Sequence, residues 1–101
     1  STSNGVLYFK TSKIIRLEAM QNFTEFFVEE EDRRLIASHN LRKYELDLKP
    51  YQNFMRIQRS HIISLNHVTR LIKGEKWYVE MVDKSIIPVS KKTRDDLLNR
   101  L

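Results

Sequence analysis

The chain has 101 residues and no cysteine, so it is the size of one domain and excludes disulfides, thiol chemistry and cysteine-held metals. Hydrophobic residues at 41% and charged residues at 31% describe a globule with one core, not a disordered tail. The formal net charge of +5 favours a polyanionic partner, and no apolar run approaches the roughly 20 residues of a membrane helix.

Ser1–Gly5 is small and polar and reads as a tag remnant or linker end, which leaves residues 6–101 as the domain. The lack of cysteine suits a reducing, cytoplasmic setting. Leu7–Lys10 is predicted as a short strand and Lys13–Ala19 as a second, rich in β-branched residues. Gln21-Asn22 interrupts the apolar pattern as a loop. Phe23–Glu29 resumes as a strand, and Arg33–Ala37 should pair with it around the acidic Glu30–Asp32 turn. That turn lacks the Asn-Gly or Asp-Gly of a tight hairpin.

Asn40 is placed to cap a helix in which Leu41, Tyr44 and Leu48 recur at spacings of three and four. Pro50 ends it at or before Lys49. At about two turns, this helix must dock on the sheet to persist. Phe54–Ile57 is predicted as extended, and His61–Leu65 as either a strand or a tight helical turn. Val68–Ile72 and Lys76–Val82 read as strands joined at Lys73-Gly74-Glu75. Asp83–Ser85 is a turn, and Ile86–Val89 is a last strand at a sheet edge or bulge, because Pro88 cannot donate to a ladder. Ser90 is expected to cap a final helix whose apolar face is Leu97, Leu98 and Leu101. The sum is a mainly β domain of short antiparallel strands with one or two short helices.

Charge is unevenly distributed. Glu25, Glu29, Glu30, Glu31 and Asp32 cluster in the first half, while Arg56, Arg59, Arg70, Lys73, Lys76, Lys84, Lys91, Lys92 and Arg94 lie in the second. The acidic run should face away from a polyanion. The segment Phe54–Val68 is the most informative. Its apolar anchors Phe54, Ile57, Ile62, Ile63, Leu65 and Val68 alternate with the polar groups of Arg56, Gln58, Arg59, Ser60, Asn66 and His67. Such a pattern pins a backbone to a core while presenting donors outward. Arg59 stands out, since a guanidinium can bind a phosphate or a guanine edge with two parallel bonds.

Enzyme chemistry finds little support. The histidines His39, His61 and His67 lack helical metal spacing, and no catalytic or metal-ligating set emerges. His61 is expected to be half-buried packing and His67 exposed. Ser60 and Ser64 have no identifiable base partner, and two glycines cannot build a phosphate cradle. No cofactor is implied. The aromatics, Tyr8 to Tyr78, allow an alternative in which an open sheet stacks single-stranded bases, but most fall in apolar patterns and read as core. A β-rich protein-interaction, RNA or single-strand module using the same basic face is the rival class.

Five fragments occur in order: Ile15–Ala19, Asn22-Phe23 opening a strand, Leu41–Glu45, Phe54–Ile63 and Ile87–Lys92. In that order, with Phe54, Arg56, Arg59 and Ser60 in place, the chain resembles the LytTR-type DNA-binding domain over about residues 6–101. Gln58 stands where that family often has His, Ser64 where Asn is frequent, Lys91 for Arg and Phe23 for Tyr. Glutamine can bond adenine, and lysine can donate to guanine as a point charge.

The resemblance implies an elongated fold that meets DNA through loops rather than a recognition helix. It also implies an N-terminal receiver domain, a place in a two-component response regulator, and direct repeats in promoters as targets, with a possible dimer on DNA. Carried over by position, three regions should meet double-stranded DNA: the Gln21–Thr24 loop, Arg56–Ser60, and Ser90–Lys92. Base reading is assigned to Arg59 and Lys91, with Asn22 or Thr24 as further candidates, and Gln58 is a DNA-binding candidate of the second region. Arg56, Ser60, Lys92 and Arg94 are assigned to phosphates, Arg56 having a structural alternative as a partner of Glu45 or Asp47. Ser90 is a contact-region residue that also reads as a helix cap.

Overall fold

The computed structural model describes residues 9–101, so Ser1–Gly5 and the Leu7-Tyr8 part of the first expected strand lie outside the described residues. Phe9 and Lys10 are not in a strand, and a 3₁₀ turn over Thr11–Lys13 leads into the first sheet. Among the described residues, eight strands form two antiparallel sheets. The larger contains β1 (Ile14–Met20), β2 (Phe23–Val28), β3 (Leu35–Ala37), β4 (Phe54–Gln58) and β5 (His61–Ser64), in the order β3-β2-β1-β5-β4. The smaller contains β6 (Val68–Ile72), β7 (Trp77–Met81) and β8 (Ile86–Val89) in that order. Two short helices complete the fold, α1 (Leu41–Asp47) and α2 (Arg94–Arg100). The molecule is elongated, at 47 × 24 × 24 Å.

The larger sheet is covered on both faces. One face sends Ile15, Met55, Ile57 and Ile63 against Val79, Met81, Ile87 and Val89 of the smaller sheet. The other packs Ile14, Leu17, Phe54 and Ile62 against Leu41 and Leu48 beneath α1. Because strand side chains alternate between faces, Ile14 and Leu17 belong on opposite sides at regular spacing. A register shift between Ile14 and Arg16 inserts the extra residue that brings both to the α1 face. Among the described residues, the exposed aromatics are Phe9, Phe23 and Tyr51, while the other aromatic rings are at least partly covered.

Local signals set most boundaries. The Asn40 side chain accepts from the Lys43 backbone N–H at 3.2 Å, and α1 ends before Pro50 as its restriction on the preceding residue requires. Pro88 lies in β8, an edge strand. His61–Leu65 resolves into β5 followed by a 3₁₀ turn over Leu65–His67, so both readings of that segment hold in part. The Glu30–Asp32 turn forms with Glu30 left-handed at φ 61° and with Glu31 accepting from the Arg33 backbone and guanidinium. That bonding holds the Glu31 carboxyl down at about 2.

Four expectations are corrected. Of the proposed apolar face of the last helix, Leu97 alone is buried, while Leu98 and Leu101 are 41% and 51% exposed. The Ser90 hydroxyl caps no backbone N–H; it bonds the Thr93 hydroxyl at 2.9 Å, and a 3₁₀ turn over Lys91–Thr93 intervenes before α2. His67 is buried rather than exposed, and it supplies the base partner that Ser64 was expected to lack. Asn53 donates to the Ser64 hydroxyl at 3.0 Å, which lies 2.8 Å from His67 Nδ1, while His67 Nε2 is 2.6 Å from Glu29. The resulting Ser-His-Glu chain is not a nucleophile site, because Ser64 is 0% exposed and already accepts from Asn53. It ties β5 and the following 3₁₀ turn to Glu29, just past β2, and pairs polar groups of the interior with one another.

Arg16 joins the two sheets. It is buried, donates to Glu18 and to Asp83 at 3.0 Å each, and lies 3.5 Å from the Phe27 ring centroid. Burial raises the Asp83 carboxyl, but the Ser85 hydrogen bonds and the Arg16 charge outweigh it and leave it below its ordinary 3.8. The bond from His67 likewise holds Glu29 below 4.5. Both groups contribute stability that is complete above their unfolded values and is lost as pH falls through their folded ones. His61, opposite Glu18 in the ladder, is pushed below 6.5 by burial. Its unfolded form takes up a proton first, so stability falls as pH drops below 6.5. Urea unfolding is therefore expected to show a shallow loss beginning near 6.5 and a steeper one below 4.5. His61→Gln should abolish the first step only; a first step unchanged in that variant would assign it elsewhere.

Candidate nucleic-acid interface

Strand direction gathers the polar turns. β1 runs toward Met20, β4 toward Gln58 and β8 toward Val89, while β5 and β7 start from the same end. Two backbone bonds join the turns directly. Ala19 N–H donates to Ser60 O at 2.9 Å, and Ser90 N–H donates to Ile57 O at 2.8 Å. The three regions singled out in the sequence therefore lie side by side at one end of the molecule. The acidic Glu29–Asp32 turn and Asp83 line a cleft at the opposite end of the strands.

The first turn is a two-residue hairpin, Gln21-Asn22, closed by the Met20–Phe23 pair. Gln21 is left-handed at φ 56°, a conformation costing a non-glycine residue about 1–2 kcal/mol. Such a turn projects both side chains beyond the sheet, and Gln21 and Asn22 are exposed. Thr24 is corrected as a base-reading candidate. It is 0% exposed, and its hydroxyl donates to His39 O at 2.9 Å.

The second turn is held by its own side chains. Gln58 Oε1 accepts from the Ser60 backbone N–H at 2.7 Å, so half of that amide is consumed in the turn. Arg56 donates to Glu45 Oε1 at 2.9 Å and to Arg59 O at 2.5 Å. The structural alternative for Arg56 is thus realised, and its head group braces the turn against α1. Arg59 at the tip is exposed and forms no ion pair among the described residues. Gln21, Asn40, Arg42, Arg56, Arg59 and Ser60 border a shallow groove of about 380 Å³ between the two turns and the start of α1. Gln21 was not singled out individually in the sequence; its signal is the hairpin pairing, which puts both tip residues at the surface.

In the third region Lys91 and Lys92 are exposed, whereas Ser90 is bonded internally to Thr93. Arg94, expected to contact phosphate, is engaged within the fold. Its Nη2 donates to Glu75 O at 2.8 Å, and its guanidinium lies 4.9 Å from the Trp77 ring centroid.

Ion pairing sharpens the charge map. Lys13, Arg16, Arg33, Arg34, Arg42, Lys43, Arg56, Arg70 and Arg100 all face carboxylates. The cations without such a partner among the described residues are Lys10, Lys49, Arg59, Lys73, Lys76, Lys84, Lys91, Lys92 and Arg94, and of these Arg59, Lys73, Lys76, Lys91 and Lys92 are exposed on the end that carries the polar turns.

A model of the LytTR DNA-binding domain matches residues 4–101. The chain belongs to the LytTR DNA-binding domain family. This LytTR domain also superposes on a solved structure, the LytTR DNA-binding domain of a response regulator from Bacillus cereus. The TM-score is 0.75 at 26% identity, covering 99% of this chain and 91% of that one. No curated protein matches the sequence. The fold, an elongated LytTR domain of short antiparallel sheets with two short helices, is as expected. Among the described residues, no helix of the LytTR domain is long and apolar enough to cross a membrane, and no cluster of metal-ligating side chains occurs.

Proposed function

We propose that this LytTR domain binds double-stranded DNA sequence-specifically, as the cytoplasmic output domain of a bacterial two-component response regulator. An N-terminal receiver domain controls it, and two copies occupy direct repeats in a promoter. The observation that carries this reading is the gathering of unpaired cations, with Arg59 at a braced turn tip, beside the Gln21-Asn22 hairpin. Arg59, Asn22 and Lys91 read bases. Lys92 and the Ser60 hydroxyl hold phosphates, which fix register without carrying sequence information. Gln58, Arg56, Ser90 and Arg94 shape the contact segments from within.

Affinity for duplex DNA is expected to fall steeply with salt, at a log–log slope of about −0.9 per phosphate neutralised. Parallel titrations with duplex DNA, single-stranded DNA and anionic vesicles check the reading. Preference for single strands or vesicles, or a flat salt response by a folded sample, argues against it. Selection from a random duplex pool then supplies the site.

A further inference from the structure

Lys73 and Lys76 flank Gly74-Glu75 in the loop between β6 and β7, outside the three contact regions marked in the sequence. Both are exposed. Trp77 pairs with Val89, so the loop emerges beside Ser90 and Lys91. Arg94 fixes it there, bonding Glu75 O at 2.8 Å and lying over the Trp77 ring. Lys73 Nζ is 5.3 Å from the centroid of the same ring. The bond from Ser90 to Ile57 continues this assembly to the turn that carries Arg59.

We propose that Lys73 and Lys76 form a fourth contact arm that grips DNA phosphates next to Lys91 and Lys92. The proposal rests on the duplex-DNA reading above. A lysine ammonium is a compact point charge on a flexible stem, suited to a phosphate and poorly suited to bidentate base reading. Glu75 is the acid of the loop, and its charge opposes the contact. Arg94 is a positioning residue, since it holds the backbone of the loop rather than the DNA.

The control is Lys84. It is exposed and without an ion pair among the described residues, but it sits in the turn between β7 and β8, at the acidic end. Anisotropy of a labelled duplex of arbitrary sequence, of about 20 base pairs, measures the salt slope of each variant. Lys73→Gln/Lys76→Gln is expected to make the slope shallower by about 0.9–1.8. Lys73→Arg/Lys76→Arg should keep the wild-type slope, and Lys84→Gln should leave it unchanged. An unchanged slope in the double glutamine variant overturns the arm. So does a loss per charge no larger than that of Lys84→Gln, which reduces the effect to net charge. A wild-type protein that binds duplex without salt dependence overturns the DNA reading itself, and the arm with it.

Discussion

Arg59→Ala is expected to weaken binding to the selected DNA site by about 1–3 kcal/mol, roughly five- to 150-fold, and to weaken binding to random duplex much less. The asymmetry follows from how the turn is built. Arg56 holds the Arg59 carbonyl and Gln58 holds the Ser60 N–H, so the backbone beneath Arg59 is set before DNA arrives. Less ordering is then required on binding, and the free guanidinium can meet a guanine edge with two bonds. Comparison of selected and scrambled duplexes at one salt concentration decides the role. Equal losses on both would demote Arg59 to a phosphate contact.

The second large effect concerns stability. Leu97→Ala is expected to destabilise the domain by about 2–5 kcal/mol, the range for emptying a leucine site in a packed core. For a domain of this size each kcal/mol corresponds to about 4–8 °C in Tm. At seven residues α2 is too short to persist alone. Leu97, 0% exposed, inserts between the two sheets and is its one buried anchor. Leu98→Ala, at a 41% exposed position, should fall within about 0.5 kcal/mol of wild type. Urea unfolding of the two variants tests the pair, and similar losses would contradict the packing described. Loss of α2 docking also releases Arg94 from Glu75, so the Leu97 variant should show a shallower salt slope of DNA binding before it unfolds fully.

Much of the architecture was legible in local patterns. β-Branched runs announced the strands, Asn40 and Pro50 bounded α1, and Pro88 marked an edge. Each signal acts between residues close in the chain, where φ/ψ preference and side-chain period decide the outcome. The bulge in β1 was not legible, because it depends on which core each isoleucine enters.

The ordered fragments also pointed to the family and to the neighbourhood of the proposed contact surface. They did not reveal which polar side chains remain available there. Thr24 is taken by His39, Arg56 by Glu45, Arg94 by Glu75, and Ser64 by Asn53 and His67. Each of these partners except His67 lies at least eleven positions away in sequence, and of them the chain pattern offered only Glu45, as one of two alternatives for Arg56. By itself the sequence determined the order of elements, the basic balance and the candidate turns, since these rest on local propensity and composition. The tertiary structure alone decided which cations stay unpaired and that Lys73 and Lys76 join them at one end. A charge is free or spent according to what folding brings beside it.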